Sequence, residues 1–313
     1  MSKPLSGRVC LVAGATRGAG RGISIALGEA GATVYCSGRS AQGHRASGRA
    51  ETVEETADLV TRAGGVGLVA RTDHSDEAQV QALVERIRRE HGGLDLLVND
   101  IWGGDDLVAW GAPLWEQDLA AGKTLLERGL WTHVVTARHA APLLFGRTNP
   151  LVVEVTDGDT FGYRGQPLYD LVKFSVIRFA FILAQELKAK QVTALAVTPG
   201  FLRSEAMLDR FGVTEATWRE HVKVEPDFAA SETPRYVGRA IAALAADPGV
   251  HERTGRVFAS WSLAREYGFT DLDGTQPQWD RHFASRYGTP PAADYASWLT
   301  GPWDLFMAAS KAK

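Results

Sequence analysis

Along the chain, short runs that are apolar at nearly every position alternate with longer stretches whose apolar residues recur every three or four places. RVCLVAGA (8–15), ATVYCSGR (32–39), VGLVARTD (66–73) and LDLLVND (94–100) are the first four runs. PLVVEVT (150–156), VTALAVTPG (192–200) and GRVFASWSL (255–263) bring the number to seven. Between them, helical period holds over 20–31, 51–63, 77–92, 123–146, 167–190 and 234–247. A strand that is apolar on both sides is covered on both sides, and helices between such strands make the sheet parallel. The pattern predicts an α/β fold, a doubly wound sheet of about seven parallel strands with helices on both faces and right-handed crossovers.

Two regions break the alternation. Residues 40–50, SAQGHRASGRA, read as a polar loop, and 201–233 is too long for a simple connection, so it is expected to be a substrate loop or lid. The chain divides into one catalytic domain over 1–265 and a C-terminal extension over 266–313. The extension carries Trp279, Trp298, Trp303, Leu305 and Phe306, and is expected to pack on the cleft or on a partner subunit.

A net charge of -3 and a pI near 6.3 give no electrostatic reason to expect nucleic acid or an anionic membrane surface. No apolar run approaches the roughly 20 residues that span a bilayer, and the start lacks the pattern of a secretory signal. Cys10 and Cys36 read as buried hydrophobes, and a cytoplasmic protein is expected. The histidines show no metal-ligand spacing, so no metal is expected; His133 reads as a packing or surface residue.

VAGATRGAGRG joins the first strand to the first helix, with Gly14, Gly18 and Gly20 spaced G-x-x-x-G-x-G and Thr16 and Arg17 among them. Glycines let backbone approach a pyrophosphate, and a helix N-terminus offers unpaired N–H groups to it, as in Rossmann-type dinucleotide sites. The second strand ends in Gly38 and Arg39 rather than in the acid that usually holds a free ribose 2′-hydroxyl. With Arg17 nearby, Arg39 favours a 2′-phosphate, hence NADP(H) over NAD(H). Arg45 and Arg49 are expected to face water. Asp73, ending the third strand, is expected at the adenine edge, and Asn99, ending the fourth, beside the cofactor.

LYDLVKFSV (168–176) sets Tyr169 and Lys173 four apart, on one face of a helix. An ammonium beside a phenol lowers a pKa that is otherwise about 10, so the pair can exchange a proton near neutral pH. The glycine loop, Asp73, LVND (97–100), Y-x-x-x-K and TPG (198–200) occur together in an order that resembles the short-chain dehydrogenase/reductase family over about residues 7–265. LVNDIWGG, GLWTH (129–133) and SLAREYGFTDLDG (262–274) resemble, more narrowly, the branch of dehydrogenase/reductase family member 1 and its bacterial relatives. The resemblance implies a homodimer or homotetramer acting on a small molecule. It implies Tyr169 as general acid, Lys173 as its partner and a ribose ligand, Pro199 and Gly200 at the nicotinamide, and Ser204 near the carboxamide.

The resemblance also calls for a serine twelve or thirteen residues before the tyrosine, where this chain has Asp157 and Thr156. The family's supporting asparagine falls at Gly129. Thr156 could supply the hydroxyl, or Asp157 could take the serine's place. An ionised Asp157 would work against the tyrosine, since like charges 4 Å apart cost about 4 kcal/mol at an effective dielectric of 20. It would suit a cationic substrate, whereas a protonated Asp157 could donate to a carbonyl. Trp102, Phe161, Tyr163, Phe201 and Met207 are candidates for the substrate pocket. The reading is an NADPH-dependent reductase of an apolar or aromatic carbonyl, with an imine as the second option. Its alternatives are a catalytically altered NADPH-binding regulatory protein, or a lyase or isomerase on the same scaffold.

Overall fold

Strands β1 (Val9–Ala13), β2 (Thr33–Gly38), β3 (Val66–Arg71), β4 (Leu96–Asn99), β5 (Leu151–Val155), β6 (Thr193–Thr198) and β7 (Val257–Ala259) form one parallel sheet, ordered β3-β2-β1-β4-β5-β6-β7. The structure, a computed structural model, describes residues 3–46 and 48–295. Helices α1 (Gly18–Glu29), α2 (Val53–Arg62), α3 (Glu77–His91), α4 (Leu119–Leu126), α5 (Thr132–Ala140) and α6 (Pro167–Glu186) connect the first six strands. Helices α7 (Glu205–Phe211), α8 (Trp218–His221) and α9 (Pro234–Ala246) lie between β6 and β7, and α10 (Ser260–Tyr267) and α11 (Trp279–Tyr287) follow β7.

Because side chains alternate along a strand, neighbours feed opposite layers. Cys10, Val12, Val34, Leu96 and Val153 join the core under α1, α2 and α9. Their alternates Leu11, Tyr35, Leu97 and Val152 join the core under α3, α5 and α6. Winding runs outward from β1 to β3 and then jumps to β4, so the strand order switches between β1 and β4. A crevice opens at that point, beyond the strands' C-terminal ends.

Several elements differ from the pattern read along the chain. The last apolar run is a strand only over Val257–Ala259; from Ser260 it is helical, with Trp261, Leu263 and Ala264 buried. The helix expected over 123–146 begins at Leu119, widens to a π turn over Glu127–Trp131 and ends at Ala140. Pro142, which has no N–H to continue the α pattern, follows within a 3-10 turn. Arg49 does not simply face water: it pairs with Glu51 and with Asp209 of α7.

The segment 201–233 shares a small aromatic core with α11, in which Phe201 packs on Phe211, Phe228 and Trp279. Helix α11 closes on this segment, with His282 and Tyr287 both bonded to Asp227. The expectation for Trp298, Trp303, Leu305 and Phe306 lies outside the described residues.

Candidate active site

The link between β1 and α1 is folded so tightly that only glycine fits. Gly14 has φ +96°, and a Cβ on it would lie 2.2 Å from the Asp100 carbonyl oxygen. A Cβ on Gly20 would lie 2.2 Å from the Gly14 carbonyl oxygen. This packing aims the N-terminus of α1 into the crevice, where its unpaired N–H groups attract anions. The chain's own acids already answer them. Glu205 accepts the Gly18 N–H at 2.7 Å, and the Asp100 carboxyl takes that of Gly20. Burial pushes Asp100 up to about 7. A glycine cradle that draws carboxylates to its amides fits the pyrophosphate of a dinucleotide. Thr16 is buried under this loop, its hydroxyl oxygen 2.4 Å from where a Cβ on Gly38 would stand.

At the adenosine side, the Arg39 guanidinium reaches from the end of β2 to Gly103, in the loop after β4. Arg17, the N-cap of α1, lies close enough to help hold Glu51 low. Asp73 accepts bonds from the Ser75 amide and hydroxyl. Against its burial, those bonds and the Arg39 charge hold it below the usual carboxylate range.

Helix α6 starts at Pro167, a residue suited to a first helical turn, and the Gln166 side chain caps the Tyr169 N–H. The helix therefore begins where Tyr169 and Lys173 can both face the end of β5. There the two candidates for the missing serine separate. Thr156 is buried, and its hydroxyl donates to the Lys173 carbonyl at 2.7 Å, tying β5 to α6. That bond engages the hydroxyl proton that the sequence reading offered to a substrate. Asp157 meets the catalytic candidate, accepting the Tyr169 O–H at 2.8 Å.

The electrostatics differ from the sequence expectation too. Burial first, and then the charge and hydrogen bond of Asp157, push the Tyr169 phenol well above its ordinary value of 10. Lys173 is lowered by burial, against the opposing pull of Asp157, Asp100 and Asp105. Its ammonium lies over the Trp102 ring, 4.1 Å from the centre, a cation–π contact. Trp102 meets Tyr169 edge-on at 5.7 Å, and its indole N–H donates to Asp105 at 2.6 Å. Trp110 covers Tyr169 from another side at 5.1 Å while remaining 54% exposed.

Of the expected pocket residues, Trp102 packs against Tyr169. Phe161 packs with Phe174 and Tyr295, Phe201 belongs to the core of the 201–233 segment, and Tyr163 is exposed. Met207 lies in the first turn of α7, whose N-cap is Ser204. The Ser204 Cβ is 3.7 Å from where one on Gly18 would be, so this end of α7 sits on the glycine loop. At the neighbouring turn, Gly200 donates its N–H to Glu232 at 2.9 Å.

Behind the site lies a polar group that the sequence reading missed. Asn99 and Glu154 are register partners on β4 and β5, and both are completely buried. Asn99, at the end of β4, donates its amide to Glu154 Oε1 at 2.8 Å. His133, buried rather than on the helix surface, sets Nδ1 2.6 Å from Glu154 Oε2 and Nε2 3.0 Å from the Ile101 carbonyl. Both ring nitrogens face oxygens. Nε2–H donates to the carbonyl, and one further proton is held between Nδ1 and Glu154. The pair thereby anchors Ile101, the residue before Trp102.

Gly129, in the π turn, explains the missing asparagine sterically. A Cβ on it would lie 2.8 Å from both the Trp102 ring and Val172 Cγ1. Trp102 occupies the space that a side chain there would need. Among the described residues no group of His, Cys, Asp and Glu is arranged to hold a metal ion, and no helix is long and apolar enough to cross a membrane.

A family model described as short chain dehydrogenase matches residues 8–212. Dehydrogenase/reductase SDR family member 1 of Mus musculus is 33% identical over 279 residues, covering 88% of this chain and 86% of that protein. Among solved structures, a short chain dehydrogenase from Mycobacterium thermoresistibile aligns with a TM-score of 0.73 at 21% identity, over 92% of this chain and 94% of that one. The L-sorbose reductase of Gluconobacter frateurii, solved with NADPH and L-sorbose, aligns with a TM-score of 0.68 at 18% identity, over 83% and 97% respectively. At those identities the likeness is one of fold.

Proposed function

Since this chain belongs to the short-chain dehydrogenase/reductase family, an oxidoreductase family, we propose that it reduces a C=O or C=N bond in an apolar or aromatic substrate with NADPH. The observation that carries this reading is the meeting of Tyr169, Lys173 and Asp157 beside a glycine cradle, under the rings of Trp102 and Trp110. Gly14, Gly18 and Gly20 would receive the pyrophosphate, and Arg17 and Arg39 a 2′-phosphate. Lys173, Pro199, Gly200 and Ser204 would meet the nicotinamide half. The bound cofactor supplies the hydride.

Raised well above its ordinary value of 10, the Tyr169 phenol enters the reaction protonated and gives its proton only to a stronger base, such as the alkoxide formed when a carbonyl takes up hydride. Asp157 orients the phenol through the 2.8 Å bond. Thr156 acts at one remove, fixing the α6 backbone at Lys173.

Consumption of NADPH by the purified protein against ketones, aldehydes, quinones and cyclic imines tests the reading. With a carbonyl substrate, whose reduction needs a proton, Tyr169→Phe should lower turnover by about 10²–10⁴-fold and leave NADPH affinity within about twofold. Turnover unchanged in that variant would remove Tyr169 from the mechanism, and product formed without NADPH consumption would point to a lyase or isomerase instead.

We assign the dimer or tetramer expected for this family to the apolar outer face of the α4–α5 segment and α6, where Leu130, Trp131, Phe179 and Ile182 line one groove. Trp131 is 59% exposed there. Light scattering of Trp131→Glu should report dissociation toward the monomer, and an unchanged mass would move the interface elsewhere.

A further inference from the structure

We propose that the substrate enters this site as a cation, a protonated imine whose positive nitrogen faces Asp157 between the rings of Trp102 and Trp110. The redox step of this inference rests on the reductase reading; the cation site does not.

The argument starts from hydrogen-bond donors. A neutral carbonyl oxygen brings only lone pairs and needs O–H or N–H groups aimed at it. Both hydroxyls at the end of β5 are spent: Tyr169 donates to Asp157, and Thr156 to the Lys173 carbonyl. The Lys173 ammonium is drawn over Trp102. The Arg164 guanidinium is held by Asp170 and by the carbonyls of Asp157, Gly158 and Thr160. Where the family has a serine that donates, this chain presents a carboxylate that accepts. Binding a ketone would mean breaking the Tyr169–Asp157 bond and setting oxygen lone pairs against that carboxylate. A protonated imine brings its own N–H and its own positive charge.

The surroundings suit a cation on two further grounds. Lys173 feels the acids Asp157, Asp100 and Asp105 on one side and the Arg164 guanidinium on the other, and that guanidinium is already paired with Asp170. The aromatic walls are of the kind that hold organic cations, and Trp102 already holds one at 4.1 Å. Trp110, half exposed beside Tyr169, leaves a ring open to the cleft.

The reaction then balances without a proton from the protein. A hydride from the reduced nicotinamide adds to the iminium carbon, forming a C–H bond. The C=N π pair becomes the nitrogen lone pair, and a neutral amine forms as the nicotinamide is oxidised. Tyr169, holding its proton, positions Asp157 throughout.

Two bicyclic probes of similar shape test this: 3,4-dihydroisoquinoline at pH 6, where it is protonated, and neutral 1-tetralone. The expected kcat/KM ratio favours the iminium by at least 100-fold. Asp157→Asn should cut that ratio at least 50-fold with NADPH affinity within twofold, and Asp157→Glu should retain most of it. Without NADPH, tryptophan fluorescence should report tenfold tighter binding of 1,2,3,4-tetrahydroisoquinolinium than of tetralone. Equal reduction of the two probes, or a ratio indifferent to Asp157→Asn, would overturn the cation site and leave the reductase standing. Preferred binding of the ammonium without NADPH oxidation by either probe would sustain the cation site and overturn the reductase.

Discussion

Glu232 is fully buried beneath the Pro199–Gly200 turn, accepting from the Gly200 N–H at 2.9 Å and the Ser260 hydroxyl at 2.5 Å, both on Oε2. Its other oxygen, Oε1, is buried without a partner among the described residues. Burial pushes this carboxyl from its ordinary 4.5 up to about 8. At neutral pH the folded protein therefore holds a proton here that the unfolded chain has released. The folded pKa is the raised one, so the stabilisation is present below about 4.5 and is lost as pH rises toward 8. At about 1.4 kcal/mol per pH unit across that window, the loss is on the order of 5 kcal/mol. Glu232→Gln keeps an acceptor for Gly200 and Ser260 and cannot ionise. Urea denaturation at a series of pH values between 5 and 9 should show the two proteins diverging, the variant becoming more stable by up to about 5 kcal/mol at the alkaline end. Asp100, also raised by burial, contributes with the same sign but is present in both proteins and cancels in the difference. Parallel stability curves would refute the argument, because they would mean that Glu232 is charged already at pH 5 or is hydrated when it ionises.

Two further perturbations address the cofactor site. Arg39→Asp should weaken NADPH binding by at least 50-fold while changing NADH binding less than about threefold, since a guanidinium forms an ion pair with a phosphate and meets only a neutral acceptor in a hydroxyl; equal losses in titration would remove Arg39 from the 2′-phosphate. Glu205 holds the Gly18 N–H that a pyrophosphate would use. Glu205→Gln should therefore tighten NADPH about tenfold, by removing a like charge from the cradle, and unchanged affinity by calorimetry would show that Glu205 does not compete.

The sheet was legible because parallel strands buried on both faces leave continuous apolar runs, and the glycine loop because its spacing serves the backbone directly. Tyr169 and Lys173 were legible as one turn of a single helix. What could not be read depends on contacts between elements far apart in the chain. VEVT and TDG do not say that Thr156 turns back on the Lys173 carbonyl while Asp157 meets Tyr169; the packing of α6 on β5 decides that. Glu154 sits in an all-buried strand, and only its register with Asn99 and the arrival of His133 from α5 make a carboxyl tolerable there. Trp110 lies in an irregular loop with no period to place it over Tyr169. Phe161 and Phe201 illustrate the converse, since aromatic residues near a cleft in sequence can satisfy one another elsewhere.

The contact between Trp102 and Gly129 also bears on the routes by which this site can change. A chain regaining the asparagine by a single substitution would drive a side chain into the indole and into Val172. Shrinking Trp102 first would strip Lys173 of the ring it lies over and Tyr169 of one of its walls. Neither order passes through an intermediate with an intact site. Gly129 and Trp102 are thus a coupled pair, and a side chain at 129 is compatible with the site only if both positions change together.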